Sequence, residues 1–455
     1  MASNPEDRPS FTVAVIFVIL AIAGAASMTY YHLRIFIPHA QQNRAIAGMA
    51  GRYFFGNDFY PVWLTAGAAQ SAHFDAYSVE ITRRIQTGLF GHPITPHNAF
   101  GPPADYRQFA YPAFADLIFW PVGYLDFRQI RWLLAVVLPV LTIASIRFWF
   151  KALNWKIQSF WFALFVVLAL TSYQALESFF AEQPGLIVGF FLAASAYALR
   201  SNRPLLGGVL SSLTLIKPQM TAFLIFYLLL WSFTDRHRSR FWQAFLVVAS
   251  VLMAGSLWIW PTWLQGWITI LLGYHRYATP PLAIVLFGKS APGYLGLAVL
   301  VGLIFVGSIT AWKNRSASSD SDNFWFTVSL LLAITAVTLL PGQAIYDDLI
   351  LIPGILLVLR HRHELLRRNW ISRALLVAGA LVLCWSWIGA FIVIVLRPFV
   401  SSAFFDSILL MLPIHTAAPL PFAVLALLWW TSQSKMKKSN GIRVVEVPAT
   451  VSLEG

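Results

Sequence analysis

Apolar runs of membrane-spanning length recur along almost the whole chain. An α-helix rises 1.5 Å per residue, so about 20 consecutive apolar residues cross a bilayer core of about 30 Å. The runs Phe11 to Tyr31, Trp132 to Phe150, Ile157 to Leu176, Phe241 to Trp260, Tyr294 to Trp312, Ala374 to Leu396 and Ile408 to Trp430 all have this character. With 58% hydrophobic and 11% charged residues and a mean hydropathy of +0.67, the chain lacks the polar surface that a water-soluble globule needs. The expected fold is all-α, a polytopic transmembrane bundle formed as a single unit over residues 1–455, with no soluble catalytic appendage. The first run follows a polar segment, Met1 to Ser10, and has no small-residue cleavage site, so it reads as a retained helix rather than a signal peptide.

A net charge of +13 would suggest nucleic acid as a partner for a soluble protein. Here the basic residues fall in short connectors between apolar runs: Arg147 to Lys156, Arg200 to Arg203, Asp235 to Arg240, Lys313 to Arg315, His361 to Arg368 and Lys435 to Lys438. That pattern places these connectors in the cytoplasm and makes anionic membrane lipids, not nucleic acid, the partner of the charge. Pairing the intervening runs gives about 12 crossings with both termini inside, a multi-pass protein expected in a cell inner membrane. Segment Tyr111 to Phe127, short and carrying Asp116 and Pro121, breaks the parity and reads as re-entrant or interfacial. Two loops then face outward, 32–110 and 261–293, and 435–455 is a cytoplasmic tail. Inside the first loop, Tyr60 to Gln70 and Tyr77 to Leu89 are each expected to form a short interfacial helix, the second lying on the membrane surface. The lone cysteine, Cys384, excludes an internal disulfide and a thiolate metal cluster. No zinc motif, Gly-rich phosphate loop or nucleophile elbow is visible, and neither a cofactor nor a metal is expected.

The polar residues that interrupt this pattern are the candidates for chemistry. Asn57 and Asp58 precede an aromatic-rich segment containing Trp63, and Tyr53, Phe54 and Phe55 are close by. Aromatic rings pack on sugar faces, and a carboxylate beside them can take a proton from a hydroxyl that becomes a nucleophile; the competing reading of Asp58 is a cap on the next helix. Lys217, beside Pro218, sits at the tip of a hairpin whose arms are too short for a comfortable span. It either faces a polar cavity at membrane depth or snorkels to headgroups. Glu177, Glu182 and Gln183, then His275 and Arg276, then Gln343, Asp347 and Asp348, lie between other helices on the same expected face. Converging, they would supply carboxylates for hydroxyls and cations for a phosphate; singly, each is a solvated loop residue. Asp347 and Asp348 also read as a divalent-ion pair or as a helix cap.

Several short motifs, in this order, resemble those of the GT-C glycosyltransferases and, more narrowly, glycosyltransferase family 87. They are Asn57-Asp58-Phe59 with Trp63, Asp75-Ala76-Tyr77, Phe109-Ala110-Tyr111-Pro112, Glu182-Gln183-Pro184, Gly207-Gly208 through Lys217-Pro218-Gln219, and Tyr346-Asp347. The resemblance implies a polyprenyl-phosphate sugar donor, typically of mannose, and transfer to a lipid or glycan acceptor at a site facing the periplasm or cell exterior. By the same likeness Asp58 is the general base, and inversion at the anomeric carbon is expected. Asn57, Trp63, Lys217, Gln183, His275, Arg276 and Asp347 are the expected substrate-binding residues, with Arg276, His275 and Lys217 stabilising the leaving phosphate. Two other classes remain open on sequence: a transporter or lipid flippase, which would need no base, and an O-antigen-ligase-like transferase, whose critical loop is late and rich in Arg and His.

Overall fold

The computed structural model describes residues 11–49, 51–70, 75–94, 106–274, 278–288, 294–342, 344–415 and 418–441. Among the described residues the regular structure is helical, and strand-like pairing is confined to an isolated bridge between Pro281 and Pro341. A helix satisfies its own backbone donors and acceptors, which lipid cannot do for it.

Among the described residues six segments are long and apolar enough to cross a membrane: Phe11–Ile46, Phe127–Ala152, Ser239–Ile259, Tyr294–Lys313, Trp370–Phe399 and Ser402–Ser432. Helices Ser159–Leu170 and Tyr173–Ala181, which meet at a bend of 57°, make a seventh if they form one span. Other runs expected to cross fold as shorter apolar helices, Pro184–Arg200, Pro204–Ile216, Ala222–Ser232 and Asp322–Thr338. Their brevity has a local cause in the proline at the start of the first two and the turns around Lys217-Pro218 that separate the second from the third.

The first loop begins later than 32. The initial helix continues through a π-helical stretch, Tyr31–Phe36, into helix Ile37–Ile46. Its polar side chains find distant partners: the Tyr31 hydroxyl donates to the Leu410 carbonyl at 2.6 Å, and His32 Nε2 lies 3.0 Å from Glu177 Oε2. Within the loop, helix Tyr60–Gln70 has the expected bounds. The second helix, Val79–Phe90, is capped by the Ser78 hydroxyl and ends at Gly91, whose φ of 85° is the left-handed geometry that favours glycine. It is amphipathic as expected, but Ile81, Ile85 and Leu89 are fully buried in the same core as Phe59 and Val62. Its apolar stripe is therefore covered by protein rather than resting on lipid. Residues 111–127 form two five-residue helices, Phe114–Ile118 and Trp120–Tyr124, too short to cross, and the Gln70 amide ties them down by donating to the Trp120 carbonyl at 3.0 Å.

At the centre lies Asp322–Thr338, buried continuously from Phe324 to Thr338. Helix Pro204–Leu213 packs against Ser239–Ile259 so closely that a Cβ on Gly208 would lie 2.2 Å from the Phe241 carbonyl oxygen, the small-residue packing that lets membrane helices approach. Basic connectors gather at one end of the bundle, where Arg200 donates to the Asp320 carbonyl, Arg238 to Ser316 and Arg360 to Leu153. Helix Pro184–Arg200 runs from that end to the opposite one, where Glu182 and Gln183 lie.

Candidate active site

The hub of the opposite end is the C-terminus of helix Tyr173–Ala181. Glu182 closes it in the left-handed region, φ 54° and ψ 52°, and the Gln183 N–H reaches back to the Ser178 carbonyl at 2.9 Å. A non-glycine residue held there costs on the order of 1 kcal/mol or more and persists only where its surroundings fix it. The surroundings are specific. Gly56, also left-handed at φ +73°, lies so close to Glu182 that a Cβ would be 2.4 Å from Oε2. On the other side, Arg131 Nε is 3.5 Å from Glu182 Oε1. The backbone of the first loop is strapped to the same helix end, Gly56 N–H donating to Phe180 at 2.9 Å and Asp58 N–H to Ala181 at 3.1 Å.

This strap delivers Asp58 to a recessed position, its side chain 11% exposed and ion-paired with Arg107. Behind it lies a second pair. Lys217 Nζ donates to both carboxylate oxygens of Asp347, at 2.7 and 2.6 Å, and approaches Gln183 Oε1 at 3.4 Å. The two side chains are 8% and 3% exposed, so Lys217 does not snorkel to the surface. Nζ is also 5.3 Å from the centre of the Tyr346 ring. Gly185 makes room for the pair, since a Cβ there would lie 2.6 Å from Asp347 Oδ1. Three residues selected separately in the sequence, Gln183, Lys217 and Asp347, thus meet, and the Asp58 charge is near enough to raise the Asp347 carboxyl, though burial is the larger cause and Lys217 opposes both.

The remaining candidates are placed as follows. Asn57 is buried, and its Oδ1 has no hydrogen-bond partner among the described residues. Trp63 donates its indole N–H to the Leu125 carbonyl at 2.8 Å and packs on Tyr60 and Phe127. Glu177 is engaged with His32 and stands apart from Asp58 in its partners. Asp348 turns from its neighbour Asp347 to line a separate apolar groove, and burial pushes its carboxyl well above the usual range. Among the described residues no group of three or more His, Cys, Asp or Glu side chains gathers as a metal site. His275, Arg276 and Gln343 lie outside the described residues.

Sequence reasoning missed Arg107 and Arg131, which hold the two acids. A single arginine in a polar loop or at a helix start has no local signature; only the need of a recessed carboxylate for a counter-charge points to one. It also left Asp116 without a partner: the carboxyl is buried, Thr65 donates to Oδ1 at 2.8 Å, and burial raises it well above its ordinary value.

Glu182 is pushed up to about 7 by burial, against the pull of Arg131. Because its folded value lies above the ordinary 4.5, the folded state holds its proton more tightly than the unfolded chain. The stability this contributes is full below about 4.5 and lost as pH rises through about 7. The thermal midpoint of the purified protein should fall over that window, and Glu182→Gln should flatten that part of the profile; an unchanged slope in the variant would refute the assignment.

Fold and site together define a helical membrane protein that gathers recessed carboxylates and cations at one end of its bundle. The family model described as "Glycosyltransferase family 87" matches residues 109–341, more than half of the chain, and the chain belongs to that family: it is a membrane glycosyltransferase. The match contains Gln183, Glu182 and Lys217, while Asp58 precedes it and Asp347 follows it. No curated protein and no solved structure matches.

Proposed function

We propose that this glycosyltransferase moves a hexose, mannose by the family likeness, from a polyprenyl-phosphate donor to a hydroxyl of a lipid or glycan acceptor, with Asp58 as general base. The observation that carries the reading is the recessed Asp58 carboxylate, held by Arg107 beside the buried Lys217–Asp347 pair. The acceptor oxygen attacks the anomeric carbon, its proton passes to Asp58, and the bond from that carbon to the phosphate oxygen breaks, the electron pair leaving with polyprenyl phosphate. The leaving group already carries charge, so no strong general acid is needed. A single displacement from the face opposite the phosphate inverts the anomeric centre.

A lipid donor is supported by the groove of about 1290 Å³ bounded by Phe17, Trp161, Leu168 and Leu383, with Gln174 and Asp348 also on its wall. An isoprenoid chain suits such a lining. In this reading the shorter apolar helices also cross, giving about 12 crossings in a cell inner membrane, with the basic connectors in the cytoplasm and the Asp58 end outside.

The test is transfer of radiolabelled mannose from polyprenyl-phosphate-mannose into lipid and glycan extracts of membranes that contain the protein. Labelled product above that of membranes lacking it supports the donor class. Absence of transfer from this and other polyprenyl-phosphate sugars, with acceptor demonstrably present, removes it.

A further inference from the structure

The Lys217 and Arg107 charges are both committed, to Asp347 and to Asp58. A phosphate in this site therefore needs other cations. They stand on the far side of Glu182, around an open cavity of about 680 Å³ whose wall includes Arg52, Arg128 and Arg131. Arg52 and Arg128 have no ion-pair partner among the described residues, and Arg131 is shared with Glu182. The wall carries two acids against three arginines and so stays net positive. Asp126 starts helix Phe127–Ala152, its backbone N–H donating to Gln129 Oε1 at 3.1 Å, and Glu182 holds Oε1 toward Arg131 at 3.5 Å.

Glu182 Oε2 is buried against Gly56 rather than turned to the cavity. Trp63, Tyr53 and Phe55 add aromatic surface to the same wall, the kind that packs on carbohydrate C–H faces. Trp132 and Ala135 continue the lining along the spanning helix Phe127–Ala152, and Trp132 is 72% exposed on a segment that faces lipid by its composition. The wall thus combines guanidiniums for a phosphate, rings for a sugar or polyol, and a lateral edge toward the bilayer.

We propose that this cavity binds the headgroup of a lipid-borne phosphate ester carrying a sugar or polyol, with Arg52 and Arg128 as phosphate ligands and the Trp63, Tyr53 and Phe55 rings against the sugar or polyol. As a substrate contact this rests on the transferase reading above; as a binding site it stands alone. Guanidinium forks match phosphate oxygens in charge and geometry, and such hydrogen bonds are about twice as strong as neutral ones.

The test uses full-length protein in phosphatidylcholine nanodiscs. Four probes are compared by native mass spectrometry: undecaprenyl phosphate against undecaprenol, and phosphatidylglycerol against added phosphatidylcholine of the same chains. Wild type should favour an anionic phosphate probe over its uncharged or zwitterionic control by about tenfold or more, and Arg52→Gln/Arg128→Gln should reduce that preference to about twofold or less. Asp58→Asn should keep it. Preference for the isoprenoid makes the headgroup that of the sugar donor, and preference for the glycerolipid that of an anionic acceptor; either supports the site. Equal binding of probe and control by wild type, or an undiminished preference in a folded arginine variant, overturns it. If the preference is absent while Asp58-dependent transfer proceeds, the cavity assignment falls and the transferase reading stands.

Discussion

Asp58→Asn should lower sugar transfer by roughly 10²- to 10⁴-fold, the usual effect of removing a general base. The substitution keeps the shape of the side chain and one oxygen able to accept from Arg107, so the strap from Gly56 to Asp58 and the docking of the first loop on helix Tyr173–Ala181 should survive. What disappears is the capacity to take a proton. The change should therefore appear in kcat, with the KM for donor much less affected, and it should be measured as initial rates at matched expression with a thermal midpoint for each protein. A variant that is folded and retains more than about a tenth of the wild-type rate would end the assignment. The next carboxyl to test would then be Glu182, whose raised value of about 7 is suited to proton transfer near neutrality but which is held by Arg131 against a different cavity.

The features legible in the sequence are those set by local pattern. Apolar runs announced the helices, and Tyr60–Gln70 could be bounded to the residue because aromatic and small apolar residues sit between polar stretches. Long-range pairing was not legible. The polar residues His32 and Arg34 made the chain after Tyr31 look like a loop, yet it stays helical because Tyr31 and His32 find Leu410 and Glu177, partners far away in the chain. Likewise the alternation in Val79–Phe90 gave its apolar face but not what covers it. In the site, expense at membrane depth marked Lys217, and position between helices marked Gln183 and Asp347, but nothing local said that one lysine would serve both. Arg107 and Arg131 were invisible for the same reason, being defined by the acids they meet in space rather than by neighbours in sequence.

Lys217→Met should destabilise the protein by about 3–5 kcal/mol, because it leaves the buried Asp347 carboxylate without its counter-charge; Asp347→Asn should cost a similar amount by stranding the lysine. Geometry makes the pair a strong case: both carboxylate oxygens accept from Nζ at 2.7 and 2.6 Å, and neither side chain reaches solvent to an extent that water could replace the lost partner. Each single variant should show a clearly lower thermal midpoint in detergent, with Gly185 and Gln183 shifting around the unpaired group. The double variant Lys217→Met/Asp347→Leu removes both charges at once and should recover most of the loss, since apolar replacements of a buried ion pair are often neutral or stabilising. If the double variant is no more stable than either single, the pair is not the source of the loss. If it is as stable as wild type and transfers no sugar, then the charges are retained for the substrate rather than for the fold, and Lys217 and Asp347 belong to the machinery around Asp58. A stable double variant with full activity would instead confine them to packing at the tip between Ile216 and Met220 and leave the phosphate to Arg52 and Arg128.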